Sequence, residues 1–366
     1  MKDFELQALA YDRVLEPEGV PQAVTYDGKK TILRLAYPHA TSVGLTIGEV
    51  EYPMENRGAY WELEFPATSG INYVQVRVNG DEVLSPYLPI GYGYSRPYNY
   101  VEQPGQGEQR WSIGGARHGT IHHECFYSMV TGGYERCVVY TPYGYEMSEQ
   151  SYPVLYLQHG HGENEIGWST AGKVQFILDH LFTDGDATPF IVVMNNGMVQ
   201  QHTPDGKAYV DHRMFEPYLL NDVIPYVEHK YRIKKDKAHR AMAGLSMGSI
   251  QTAMITFQHP ELFSAVGIFS GFLHDWITGS ELDMNDRGPS DNAHLKLLTD
   301  AAAFSDAFDV FFRGIGSEDP FLPHFLEDDA MLADAHIESI RRIYDGTHDW
   351  NVWRNCIYDF AKLIFR

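Results

Sequence analysis

Arg240-Ala-Met-Ala-Gly-Leu-Ser-Met-Gly248 is the stretch whose reading decides the fold. Its first half is a short apolar run suited to a buried strand. Beyond it Ile250, Ala253, Met254 and Phe257 fall at i, i+3, i+4 and i+7, one face of a helix that must stop before Pro260. Gly244-Leu-Ser-Met-Gly248 therefore sits at a strand-to-helix turn, the context a G-x-S-x-G nucleophile elbow requires. Glycines two residues either side of Ser246 remove Cβ atoms where strand and helix crowd, so the serine can hold a strained dihedral pair above the sheet edge.

A serine hydroxyl needs a base, and the base needs a third group to fix its tautomer. On a sheet of this kind the chain order is Ser, then Asp or Glu, then His, which confines the search to residues after 246. Of His259, His274, His294, His324, His336 and His348, the last stands in the loop Gly346-Thr-His-Asp-Trp350, just before an amphipathic C-terminal helix with Trp353, Ile357, Phe360 and Ile364 on one face. For the acid, a strand through Asp309–Phe312 runs into Gly314-Ile-Gly-Ser-Glu-Asp-Pro320. Asp319 fits best and Glu318 is its rival, one register step away; Asp328 and Asp329 read as helix-face charges.

A tetrahedral intermediate also needs hydrogen-bond donors. The backbone N–H of Met247 is one, and the loop Leu157-Gln-His-Gly-His-Gly162 is placed to supply the second. His159 and His161 form an H-x-H pair, but no carboxylate or third histidine follows at helical spacing, so no metal is expected there, and hydrolysis by a serine nucleophile implies no organic cofactor. His122-His-Glu124 reads as a strand with one polar face. Trp168 either lines an acyl pocket or packs beneath the oxyanion loop, and residues 271–306 read as an insertion over the site.

Strands Val138–Tyr140, Pro153–Leu157, Phe190–Met194 and Phe263–Phe269 alternate with helical patterns such as Leu220, Val223, Ile224 and Val227. That is an α/β domain with a mostly parallel sheet covered on both faces, residues 105–366. Upstream the period is two: Leu33, Leu35, Tyr37; Val43, Leu45, Ile47; Trp61, Leu63, Phe65; and Val74, Val76, Val78 running into Asn79-Gly80, a hairpin turn signal. Residues 1–104 accordingly read as a small all-β sandwich, with a Pro- and Tyr-rich connector from residue 85 to about 110.

The chain has 366 residues, enough for two domains with substantial cores. Its net charge of −21 argues against nucleic acid and against an anionic membrane surface. Cys125, Cys137 and Cys356 are too few and scattered for a disulfide framework and read as core thiols. The N-terminus carries no basic segment followed by an apolar one, so a cytoplasmic location is the expectation. A homo-oligomer is compatible with this composition.

The assembled motifs resemble the carbohydrate esterases that include feruloyl and acetyl xylan esterases, close to the enterochelin-esterase and mycolyltransferase branch of α/β-hydrolases. The matching segments are Arg136-Cys-Val-Val-Tyr140-Thr-Pro142, Leu157–Trp168, Arg240–Gly248 and Gly346–Trp353, within residues 118–366. The resemblance implies Ser246 as nucleophile, His348 as base, Asp319 as acid, and oxyanion donors at the Met247 and His161 N–H groups. It departs from the family at Ser249, where a second glycine is common. The N-terminal part is similar to the immunoglobulin-like domain that precedes some of these esterases. The expected activity is hydrolysis of feruloyl or acetyl esters of plant cell-wall oligosaccharides. The alternatives are a cytoplasmic catecholate-siderophore esterase and an inactive carbohydrate-binding protein.

Overall fold

The computed structural model describes residues 14–15, 19–26, 30–65, 70–103, 108–273 and 293–366. It divides into two compact units, Met1–Glu108 and Gln109–Arg366.

The first unit is all β. One sheet has the order β1-β2-β6-β5, from Val24–Tyr26, Thr31–Leu35, Trp61–Phe65 and Glu55–Asn56. The other has the order β4-β3-β7-β10-β9, from Val50–Pro53, Val43–Ile47, Gly70–Val78, Arg96–Gln103 and Ile90–Gly93, with β8 (Asp81–Val83) paired to β7. Leu33, Leu35, Trp61 and Phe65 of the first sheet meet Val43, Leu45, Val74, Val76 and Val101 of the second in one core. The alternation of the sequence thus does its work as a two-sheet sandwich. Asn79 (φ 54°) and Gly80 (φ 90°) both take positive φ between β7 and β8, as a two-residue hairpin turn demands.

The expected connector is corrected by the structure. Residues 90–103 form the β9–β10 hairpin, and β10 pairs along β7 as an integral strand of the sandwich. Glycines that looked like loop punctuation make room for rings: a Cβ on Gly91 or Gly93 would lie 3.4 Å from the Tyr73 ring, which meets Tyr94 and Tyr98 edge-on.

The second unit is an eight-stranded sheet of order β11-β12-β14-β13-β17-β18-β19-β20. The strands are Thr120–Ser128, Gly133–Thr141, Ile191–Asn195, Val154–Gln158, Arg240–Leu245, Ala265–Phe269, Val310–Gly316 and Ile340–Tyr344. A separate ribbon pairs β15 (Gln200–His202) with β16 (Ala208–Val210). From β14 to β20 every pair is parallel, while β11 and β12 form an antiparallel hairpin on the edge.

The helices are α1 Gly167–Thr170, α2 Val174–Asp184, α3 Phe215–Tyr218, α4 Ile224–Lys230, α5 Met247–Gln258, α6 Ala301–Ala307, α7 Leu322–Asp334 and α8 Trp350–Ala361. They cover both faces. Phe269 and Phe312 point to Phe360 of α8, while Val266, Ile268 and Phe311 point the other way, to Phe257 of α5, Phe304 of α6 and Leu332 of α7.

Two sequence expectations change here. Asp328 is no solvated helix-face charge: it is buried, accepts the Leu273 N–H at 2.8 Å and lies 3.5 Å from the buried Arg313 guanidinium, which also binds Asp329 at 2.6 Å. Cys125 is exposed, whereas Cys137 and Cys356 are buried thiols as expected.

Candidate active site

Because the six strands β14 to β20 are parallel, their carboxyl ends open onto one edge of the sheet, where loops can converge. Ser246 leaves β17 there with φ 52° and ψ −122°, a conformation rare for a residue with a Cβ. Its N–H donates to Phe269 O at 2.9 Å, and its carbonyl accepts the Ser249 hydroxyl at 2.6 Å. Tight packing enforces the turn. A Cβ on Gly244 would stand 2.3 Å from Gly248 O, and one on Gly248 would stand 2.5 Å from His159 O. The departure at Ser249 is accommodated by Gly271, where a Cβ would fall 1.7 Å from the Ser249 hydroxyl.

Asp319 and His348 come from the loops after β19 and β20. His348 Nδ1 lies 2.9 Å from Asp319 Oδ2, and the other carboxylate oxygen accepts the Phe321 N–H at 2.9 Å. An ionised carboxylate only accepts, so Nδ1 carries the hydrogen and Nε2 is left as the basic nitrogen. Phe321 and Trp353 grip the imidazole edge-on at centroid distances of 5.0 and 5.1 Å. Asp319 is buried; Glu318 is exposed and contributes its backbone, its N–H reaching Gly346 O at 2.8 Å and its carbonyl accepting the Thr347 hydroxyl. The geometry thus puts Asp319, and not Glu318, on the imidazole. Asp349 caps α8 by accepting the Val352 N–H, so the helix begins right after the histidine.

Met247 is the first residue of α5, where N–H groups have no partner within the helix. The loop after β13 lies alongside: a Cβ on Gly160 would be 2.7 Å from Leu245 Cδ1 and 3.4 Å from Ser246 Cβ. His161 follows with its side chain exposed. His159 is buried and fixes the loop, its Nδ1–H donating to Gly160 O and its Nε2 accepting the Gly197 N–H, both at 2.8 Å. With both nitrogens engaged and burial pushing it down to about 4, His159 is a neutral strut. Among the described residues no cluster of three or more His, Cys, Asp or Glu is arranged to hold a metal ion.

Trp168 is 1% exposed, donates its indole N–H to Gln158 O at 2.9 Å and packs edge-on against Trp350 at 5.2 Å. It packs beneath the loop that follows β13, the second of the two readings the sequence left open for this residue. Glu124 is equally structural, accepting from Tyr226, Lys230 and Tyr231. The remaining histidines have other tasks. His259 pairs with Glu216, His294 is buried against Leu273 O, His324 pairs with Glu327, and His336 follows α7 with φ 56°. His274, and residues 274–292 of the expected insertion, lie outside the described residues.

A strained serine between strand and helix, a carboxylate-held imidazole and a glycine-rich loop beside the serine, all on the carboxyl edge of a parallel sheet, define the α/β-hydrolase class. Residues 128–361 match the model of the Esterase family, and the chain belongs to that family. It is 30% identical over 310 residues to an endo-1,4-beta-xylanase/feruloyl esterase of Xylanibacter ruminicola, a match covering 83% of this chain and 39% of the relative. The chain therefore spans about two fifths of that relative's length. Among solved structures, a ferulic acid esterase matches with TM-score 0.58 and 26% identity over 68% of this chain and 98% of its own. The enterobactin esterase of Shigella flexneri shares the fold, with TM-score 0.63 and 14% identity over 93% of this chain and 94% of its own.

Proposed function

We propose that the protein removes feruloyl or acetyl groups from plant cell-wall oligosaccharides through an acyl-enzyme on Ser246. The 2.9 Å contact between His348 and Asp319 carries this reading, because it fixes the imidazole in the tautomer a serine needs. Ser246 Oγ attacks the ester carbonyl as its proton passes to His348 Nε2, and the oxyanion is met by the N–H groups of Met247 and His161. Collapse expels the sugar oxygen, which takes the proton from His348. Water then gives a proton to His348 and its oxygen to the acyl carbon; the acid leaves and Ser246 regains its hydrogen. No step requires a cofactor.

The carbohydrate assignment is supported by similarity to a feruloyl esterase and by a surface feature at the same edge. Because β12 is antiparallel to β14, the β11–β12 turn projects beyond the carboxyl ends of the parallel strands. It presents Tyr127 and Tyr134, 53% and 78% exposed and edge-to-face at 5.4 Å. Counting three strand spacings from β12 to β17 places this pair about 15 Å from Ser246, several sugar rings away. Exposed aromatics beside a site are surfaces that sugars can stack on.

The second reading, a catecholate-siderophore esterase, draws on the enterobactin esterase fold, which extends over 93% of the chain, the all-β unit included. Turnover of methyl ferulate and of a catecholate trilactone, measured side by side, separates the two. A stoichiometric burst with an activated aryl ester, lost in Ser246→Ala, is expected; undiminished turnover by that variant would sink the mechanism.

A further inference from the structure

We propose that Glu163 is a positioning residue of the oxyanion loop that works as an uncharged carboxylic acid, an inference that rests on the serine mechanism above. Its Oε2 accepts the Gly160 N–H at 3.0 Å while its own N–H donates to Gly160 O at 3.2 Å, closing the turn that carries His161. The point where a Cβ of Gly160 would stand is 3.4 Å from Ser246 Cβ and 3.5 Å from Glu163 Oε2. The carboxyl oxygen is thus no further from the Ser246 side chain than those two distances combined. On its other side a Cβ at Gly167 would be 3.8 Å from the same oxygen and 3.6 Å from Trp350 Cζ2, so an indole walls the pocket.

The titratable neighbours do not neutralise a charge there. His159, on the same loop, is a neutral strut; Glu165 faces Arg136 at 3.6 Å; β17 and α1 present Leu245, Gly167 and Trp168. Ahead of α8, His348 is held by Asp319, Asp349 caps the helix, and one turn past Trp350 the Arg354 guanidinium donates to Ala171 O. Burial pushes the Glu163 carboxyl up to about 7, against the pull of the Gly160 N–H. The neutral acid keeps its bond to Gly160 through the carbonyl oxygen. Once ionised, it adds a negative charge to the poorly solvated pocket in which the oxyanion must form. At a separation of roughly 7 Å and an effective dielectric of about 20, that repulsion slows the reaction on the order of tenfold or more.

The test is the pH profile of kcat/KM for an aryl ester between pH 5 and 9. The parent enzyme is expected to fall about tenfold on the alkaline side, with the midpoint near the Glu163 titration. Glu163→Gln keeps an acceptor for Gly160 and cannot ionise, so its alkaline fall is expected to vanish. Glu163→Ala is expected to sit about tenfold below the parent's acid-side plateau in kcat, without an alkaline fall of its own and with KM little changed. A Glu163→Gln profile that superimposes on the parent's alkaline limb would overturn the inference, whether or not the alanine variant folds. Ser246→Ala belongs in the same series. If it still turns over ester, the serine mechanism fails; if it is inert while the Gln profile is unchanged, only the role of Glu163 fails.

Discussion

His348 and Asp319 stand 2.9 Å apart because the loops that carry them leave adjacent parallel strands, β19 and β20, and touch through their backbones. Gly316 makes the contact possible: a Cβ there would lie 2.5 Å from Gly346 O and 2.6 Å from Thr347 O. The Ser317 and Glu318 N–H groups then bond to Tyr344 O and Gly346 O, each at 2.8 Å. The dyad is therefore set by main chain, and its side chains need little adjustment.

Asp319→Asn is expected to preserve this scaffold while offering His348 Nδ1 an amide that can favour the wrong tautomer. The expected result is a loss of about 10⁴ in kcat with KM little altered. Glu318→Gln, whose side chain is exposed, is expected to stay close to the parent. Steady-state kinetics on both variants decide the matter, and equal losses would mean that the acid is misassigned.

Gly244→Ala tests the elbow. Its new Cβ would sit 2.3 Å from Gly248 O and 2.4 Å from Gly248 C, backbone atoms that cannot rotate away as a flexible side chain could. Strand and helix must separate, and a destabilisation of about 3 kcal/mol or more is expected, the range of overpacked and strained sites. Urea unfolding of the variant measures it; a shift below about 0.5 kcal/mol would show the turn to be looser than its contacts indicate.

The elbow, the parallel strands and the base loop were legible because each has a local signature: an apolar run, a 3.6-residue period, or a cap just ahead of a helix. Residues 90–103 were not, since proline and glycine punctuate loops, and only the packing of Tyr73 over Gly91 and Gly93 explains them in a strand pair. Asp319 and Glu318 differ by one residue, so only the turn direction after Gly316 could separate them. Asp328 looks solvated until β19 supplies Arg313 from across the fold. Glu163 left no signal at all: an acid in a glycine-rich loop reads as exposed, and its burial depends on Trp350, nearly two hundred positions along the chain.

The loop after β13 also carries two buried groups with opposite linkage to pH. Glu163, raised from 4.5 to about 7, holds a proton in the folded state that the unfolded chain has released; its contribution is full below pH 4.5 and is lost as pH rises to about 7. His159, lowered from 6.5 to about 4, contributes fully above pH 6.5 and loses that as pH falls to about 4. Between 4.5 and 6.5 the two slopes, each about 1.4 kcal/mol per pH unit at most, oppose one another. Glu163→Gln removes one of them. Its unfolding free energy relative to the parent should grow by about 1.4 kcal/mol per pH unit across that window, as urea titrations at three pH values would show. Parallel curves for the two proteins would count against a buried, neutral Glu163.

Tyr134→Ala bears on the alcohol side of the ester. The ring is 78% exposed on the projecting β11–β12 hairpin, so its removal leaves no cavity and stability should change by no more than about 0.5 kcal/mol. A substrate too small to reach about 15 Å along the sheet edge from Ser246 cannot register its loss. Methyl ferulate should therefore be hydrolysed as before. A feruloylated xylo-oligosaccharide long enough to reach the Tyr127–Tyr134 pair should show KM raised several-fold, roughly the 0.5–1.5 kcal/mol of one aromatic contact, with kcat held. Equal kinetics on the long substrate would place the glycan elsewhere on the edge, and equal losses on both substrates would mean that the tyrosine acts on the site itself and not on the sugar chain.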